Sequence, residues 1–311
     1  MYLRKVLIKD LSYPPSMHDK LSVFHNKDWL KIYEPFINVI GIFNNNDQII
    51  GLFYYFKNTK LGLNYIIPPP FIPFNGLIIN VESKKEERKN SFLKQVHQMI
   101  HNYFIHSEKA SFIRFALPPI FIDTQVFQWN KWRVKVNYTY QLNLEKSEKE
   151  LFDGLSSEKR KSIRKSEKDG VLIKAENNYS IVMDLVLKTF QRQNKKINKE
   201  YLQKILLEWA NSNNSFAFVA YFNEKPISAT FCVYDQNTSY YLLGGYDEAN
   251  AHHGSGVSCM WNSILKSKRL GLKCFDFEGS MLPQVERYFR DFGGSLVPYY
   301  VCEKKAWYVP L

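Results

Sequence analysis

Two stretches of this chain follow one pattern. VIGIFNNNDQIIGLFYYFKNTKLGLNYI starts at Val39 and AFVAYFNEKPISATFCVYDQNTSYYLLG starts at Ala217. Each reads as three strands of matching length, with a polar turn after Phe43 in one and after Phe222 in the other. Each is followed by a helical period and then a short apolar strand: 83–106 with 111–117, and 254–270 with 272–278. A meander that continues into a helix and another strand fits neither an all-helical bundle nor a plain β-sandwich. Its recurrence reads as an internal duplication at the level of pattern. The expected fold is therefore α/β with a mixed sheet, in two tandem domains. The boundary is placed where composition changes. Residues 145–170 carry eight Lys/Arg, seven Asp/Glu and few apolar residues, so the expected domains are 1–144 and 145–311.

The 311 residues are enough for two cores, and 45% hydrophobic content with 16% aromatic content excludes a disordered chain. Net charge is +12, with 18 basic and 10 acidic residues in 1–140. That balance favours anionic partners such as tRNA, a nucleotide-linked precursor, an anionic lipid or a phosphorylated cofactor, and equally describes a solvated lysine surface. The four cysteines, Cys232, Cys259, Cys274 and Cys302, lie in apolar segments without metal-ligand spacing. Buried free thiols, no metal and a cytoplasmic setting are expected. No stretch has the length and apolarity of a membrane span, which leaves open peripheral contact with a membrane.

The second duplicate extends through NTSYYLLGGYDEANAHHGSGVSCMWNSILKSKRLGLKCFDFEGSMLPQVERYFRDFGG (237–294). Val257, Met260, Trp261, Ile264 and Leu265 recur at helical spacing behind the loop Gly254-Ser255-Gly256. The first amides of a helix lack partners, so a glycine loop entering one reads either as a phosphate cradle or as an ordinary cap. Asp276 sits inside an apolar strand, where an acid needs a reason. A last short helix carries Val285, Tyr288, Phe289 and Phe292 on one face. Upstream, Ser83 with Glu86 offers a capping box for the helix after the first meander.

This order of elements resembles the acyl-donor half of a GNAT-type N-acyltransferase. With two such halves, the chain is similar to the Fem group of peptidoglycan aminoacyltransferases and their acetyltransferase-like relatives. SVFHNKDWL (22–30), SSEKRKSIRKSEKDGV (156–171), FDFEGS (275–280) and RYFRDFGGSLVPYY (287–300) carry that likeness. Ala251 stands where the GNAT loop has Gln or Arg, and Phe289–Arg290 where the Fem group has Phe-Lys. The long helical hairpin of members that load amino acids from tRNA has no room here.

The resemblance implies transfer of an acyl or aminoacyl group from acyl-CoA or aminoacyl-tRNA to an amine on a cell-envelope precursor or polysaccharide building block. No tightly bound cofactor is implied. Such transfer needs help for an oxyanion, a proton acceptor for the amine and a proton donor for the leaving group. Arg290 is the candidate for stabilising negative charge, Tyr288 for protonating the leaving group, and Asp276 and Glu278 for the base. Gly254, Ser255 and Gly256 would hold the donor's phosphates. Lys161, Arg164 and Lys165, nearly on one helix face, would hold phosphates or an RNA backbone. Trp29 and Phe289 would border the substrate. A degenerate member that only binds an anionic ligand or RNA is the other reading that these departures leave open.

Overall fold

The computed structural model describes residues 1–81, 83–279 and 281–306. The chain forms two compact units. One comprises Met1–Asn137 and the segment from Pro298 onward; the other comprises Tyr138–Val297.

The first unit begins with β1 (Tyr2–Val6), three 3₁₀ turns and α1 (Lys27–Lys31), which Asn26 caps by accepting a hydrogen bond from the Asp28 amide. The meander follows as β2 (Ile37–Phe43), β3 (Ile49–Lys60) and β4 (Leu63–Ile67), with the two-residue β5 (Ile78–Ile79) beside β3. Next come α2 (Glu86–Asn102), β6 (Phe112–Ala116) and α3 (Gln125–Trp129). The expected capping box at Ser83 does not form. The Ser83 hydroxyl accepts instead from the Lys85 amide at 3.2 Å, and α2 opens at Glu86 without a side-chain cap. The core is aromatic: Phe53, Phe104, Phe115, Phe127 and Trp132 are buried together, with Phe53 edge-on to Phe115 at 5.8 Å. Each such ring contributes roughly 1.5–3 kcal/mol by burial.

β7 (Arg133–Asn143) leads from the first unit into the second. There follow α4 (Glu148–Asp153), α5 (Ser157–Lys168), β8 (Leu172–Glu176), α6 (Tyr179–Arg192) and α7 (Lys199–Gln203). The second meander is β9 (Ser215–Phe222), β10 (Lys225–Tyr234) and β11 (Thr238–Tyr246). Then come α8 (Ser255–Arg269), β12 (Cys274–Asp276), α9 (Pro283–Arg290) and β13 (Ser295–Lys305). The first four of these helices start at a side-chain cap. Ser147 and Glu150 close a reciprocal capping box on α4, and Ser156, Asn178 and Asn198 cap α5, α6 and α7.

The duplication is present in the pairing. In the first unit the strands run β1-β2-β3-β4-β6-β13, and in the second β8-β9-β10-β11-β12-β7. In both, the third meander strand pairs parallel to the strand after the helix, as β4 does with β6 and β11 with β12. In both, a final antiparallel strand closes the row: β13 against β6, and β7 against β12. That final strand is exchanged between the duplicates. The expected division after Leu144 gave β7 to the first domain and β13 to the second, by adjacency in the chain. The compact units instead take Tyr138–Asn143 into the second and Pro298–Lys305 into the first. Alternation along a strand says which faces are buried, and not which neighbour it pairs with.

Candidate active site

In the second unit the parallel pair opens. β12 pairs with β11 only from Thr238↔Cys274 to Tyr240↔Asp276, and β11 then runs on to Tyr246 without it. β11 also carries a bulge. Its register against β10 passes from Tyr241↔Cys232 to Leu243↔Phe231, which leaves Leu242 as an extra residue. An inserted residue reverses the alternation of faces. Tyr241 and Gly244, three apart, therefore come to one side, and a Cβ at Gly244 would lie 1.9 Å from the Tyr241 hydroxyl. Gly244 is the space that the phenol occupies.

The head of α8 is built by close packing. The bare face of Gly254 lies against α5, where a Cβ would stand 2.3 Å from the Ser162 carbonyl oxygen and 2.8 Å from Ser166 Cβ. Four residues on, Ser258 Oγ meets Ser166 Oγ at 2.8 Å. Small residues face each other at 162/254 and at 166/258, so α5 and α8 run side by side in the same direction. Ser255 is wholly buried, and its hydroxyl donates to the His252 carbonyl at 2.9 Å. His252 Nδ1 accepts from the Gly254 amide at 3.2 Å, and Nε2 lies 3.0 Å from Asp169 Oδ2. The Ser255 amide is taken by the His252 carbonyl. The Gly256 and Val257 amides have no partner among the described residues. The half-buried Gly256 is where backbone donors reach the surface of this helix end.

α9 brings its aromatic face to the same place. Tyr288 donates its hydroxyl to the Gly256 carbonyl at 3.1 Å. Burial, with the neighbouring Tyr241 phenol adding to it, keeps the Tyr288 proton bound well beyond the ordinary phenol range. Phe289 is buried between Tyr241, at 5.8 Å, and Phe277, at 5.4 Å. Arg290, in the last turn, is exposed and reaches Glu286 at 3.5 Å; Glu286 also accepts from the Tyr140 hydroxyl at 2.6 Å.

The two carboxyl groups at the end of β12 differ sharply. Asp276 is buried and fully paired. It accepts from the Thr139 hydroxyl at 2.5 Å, the Gln141 amide at 2.9 Å and the Glu278 backbone N–H at 2.8 Å. Glu278 has φ +60°, a left-handed conformation that side-chain-bearing residues seldom adopt. Its Oε1 is buried without a hydrogen-bond partner among the described residues. Burial first, and then the Asp276 charge, raise its carboxyl well above the ordinary range. A carboxyl with an open lone pair and a raised affinity for protons is equipped to take one.

The sequence-expected residues thus divide. Gly256 and Tyr288 present polar atoms together at the head of α8, and Glu278 presents one just past the end of β12. Gly254 is required by α5, the Ser255 side chain is spent on its own loop, Asp276 anchors the loop that carries Glu278, and Phe289 is core. These four offer no side-chain surface to a ligand. Trp29 lies in the first unit, fully buried and edge-on to Phe24 at 5.4 Å, and offers none either. Lys161, Arg164 and Lys165 are exposed on α5, with Arg164 5.7 Å from the Phe152 ring. Ser280, in the expected FDFEGS segment, falls outside the described residues.

Three residues escaped the sequence reading. Tyr241 and Gly244 depend on the bulge, which has no sequence mark. Lys159 had one: with Ser162, Ile163 and Ser166 it completes the buried i, i+3, i+4, i+7 stripe of α5. Its ammonium lies 3.7 Å from the Tyr288 ring centroid and 5.1 Å from that of Phe292.

An opened parallel pair, a bulge in one of its strands and an unpaired helix head following it are the marks of a GNAT fold, and the second unit carries all three. Residues 156–290, less than half of the chain, match the acetyltransferase (GNAT) domain family. The crystal structure of FemX is similar over 96% of this chain and 97% of that one, with TM-score 0.67 and 12% identity. The C-terminal domain of a putative lysylphosphatidylglycerol synthetase from Agrobacterium fabrum is similar over 90% and 87%, with TM-score 0.56 and 11% identity. A tandem GNAT protein from the clavulanic acid biosynthesis pathway is similar over 92% and 87%, with TM-score 0.53 and 8% identity. No curated protein matches the chain by sequence. The chain has the tandem GNAT fold of these structures, and the part of its second unit that matches a family model matches a GNAT acetyltransferase domain. Among the described residues no helix is long and apolar enough to cross a membrane, and no group of three or more His, Cys, Asp or Glu is placed to hold a metal ion.

Proposed function

We propose that the protein is an N-acyltransferase whose second unit receives the acyl donor at the head of α8. The observation that carries this reading is the pair of unpartnered amides at Gly256 and Val257, in the first turn of α8. Phosphate oxygens of acyl-CoA, or of the 3′ end of an aminoacyl-tRNA, would accept from them. The acceptor amine attacks the donor carbonyl carbon. A C–N bond forms, and the C–S bond of a thioester, or the C–O bond of a tRNA ester, breaks. Glu278 takes the proton lost by the amine. Tyr288 gives its proton to the departing sulfur or oxygen, and its raised proton affinity suits a group that must hold that proton until the leaving group needs it. Arg290, Lys161, Arg164 and Lys165 would attract the donor's charge.

The acceptor, an amine on a cell-envelope precursor or polysaccharide building block, rests on the Fem resemblance. The likeness to a putative lysylphosphatidylglycerol synthetase domain agrees with an envelope-directed substrate and with work at a membrane surface. Ala251, which brings no polar side chain to the loop before α8, favours the second reading, a protein that binds an anionic ligand or RNA without turnover. A thermal-shift panel of acyl-CoAs and deacylated tRNA, followed by mass spectrometry of an amine incubated with the stabilising donor, tests the proposal. Stabilisation by a donor together with an acylated amine is the expected result. Stabilisation with no acylation of any amine would leave the binding protein in its place.

A further inference from the structure

Lys159 is unusual for a lysine. It is 7% exposed, and its ammonium has neither a carboxylate at ion-pair distance nor a hydrogen-bond acceptor among the described residues. Lysines are almost never buried without a partner, because removing the ammonium from water costs several kcal/mol. Two ring faces, Tyr288 and Phe292, are what it rests on.

Its position explains where a partner would come from. α5 and α8 lie side by side in register, with Ser162 against Gly254 and Ser166 against Ser258. Lys159 is one turn ahead of Ser162 on α5, so it projects past the first residue of α8. The ring beneath it belongs to Tyr288, whose hydroxyl reaches the Gly256 carbonyl. A buried cation with no carboxylate at ion-pair distance among the described residues therefore stands at the same helix end as the two unpartnered amides of Gly256 and Val257.

The geometry points to Lys159 as the counter-charge of an anion seated at the head of α8, a phosphate or pyrophosphate group, in place of the side chain that Ala251 does not provide. This rests on the donor reading above and names the residue that would make the site selective for charge. The groups facing the ammonium agree. Asp291 and Glu158 lie near enough to favour the charged form, Arg287 disfavours it, and Tyr288 supplies only its ring. Burial outweighs them and brings the Lys159 ammonium down to about 8. An anion arriving beside it would restore the proton, so binding at pH 8.5 takes up a proton.

Isothermal titration of the full chain with inorganic pyrophosphate and with acetyl-CoA tests this. Lys159→Met should weaken both by roughly 10- to 100-fold, the scale of one charge-assisted contact. Lys225→Met, an exposed charge at the start of β10, should leave both unchanged. Wild-type titrations at pH 8.5 in two buffers of different ionisation enthalpy should show proton uptake, a readout that needs no variant to fold. Equal affinity in Lys159→Met, or absence of proton uptake in the wild type, overturns the role of Lys159 while donor binding stands. No binding of either ligand to the wild type overturns both.

Discussion

Gly254 and Gly256 are two residues apart, and the structure predicts opposite consequences for adding one methyl group to each. At Gly254 the new Cβ would lie 2.3 Å from the Ser162 carbonyl oxygen. An ordinary C···O approach is about 3.3 Å, so α5 must retreat by about 1 Å. That retreat breaks the 2.8 Å hydrogen bond between Ser166 and Ser258, worth about 1 kcal/mol, and adds an overpacking cost of about 1–3 kcal/mol. Gly254→Ala should therefore destabilise the protein by about 2–4 kcal/mol. At Gly256 the new Cβ meets only the Tyr288 hydroxyl, at 3.8 Å, and the residue lies in the first turn of a helix. Gly256→Ala should stabilise by about 0.4–1 kcal/mol, through the unfolded chain. Urea unfolding of the two variants against wild type measures both. Their ligand responses separate as well, because a methyl at Gly256 stands where backbone donors must approach the donor's phosphates. Gly256→Ala should be the more stable protein and the poorer binder of acyl-CoA. Equal stability of the two variants, or destabilisation of both, would refute the packing argument.

His97 is buried in the first unit, 5.2 Å from the Phe127 ring, with no hydrogen-bond partner for either ring nitrogen among the described residues. His97→Leu should raise stability at pH 7 by about 1–3 kcal/mol, the cost of an unsatisfied polar group. Burial holds the imidazole down at about 4, against 6.5 when free. The unfolded chain thus binds the extra proton between pH 6.5 and 4, and wild-type stability falls as pH drops through that window, by up to about 3 kcal/mol from this group. The gain from His97→Leu should be larger at pH 5 than at pH 7; a variant less stable than wild type at both values would count against it. Asp276→Ala strips three donors of their acceptor, those of Thr139, Gln141 and Glu278, and should cost about 3 kcal/mol or more in urea unfolding. It also removes the charge that helps raise the Glu278 carboxyl, so the acidic limb of the pH–rate profile should move to lower pH if Glu278 is the base.

Much of the site was legible because it follows local rules. The α8 stripe of Val257, Met260, Trp261 and Ile264 is buried as its spacing required. An acid inside the apolar strand had the reason that Asp276 gives it: three hydrogen bonds to its carboxylate. Other readings failed where the deciding contact is distant in sequence. Gly254 looked like a ligand glycine, and the atom it makes room for is the Ser162 carbonyl, 92 residues earlier. Trp29 was expected to border the substrate, and Phe24 and its other core neighbours enclose it. Ser83 looked like a cap, and α2 simply begins two residues too late for its box.

By itself, the chain's order of polar and apolar residues determined the α/β class, the doubled meander-helix-strand pattern and the caps of α4 to α7. Those depend on periods of two and 3.6 and on hydrogen bonds that span three residues. Only the tertiary structure decided which final strand completes each unit, where the bulge turns Tyr241 toward Gly244, and that Lys159 faces inward while its neighbour Lys161 faces water. Such outcomes depend on which backbone comes close to which, across tens to hundreds of residues, and periodicity along the chain carries no term for that distance.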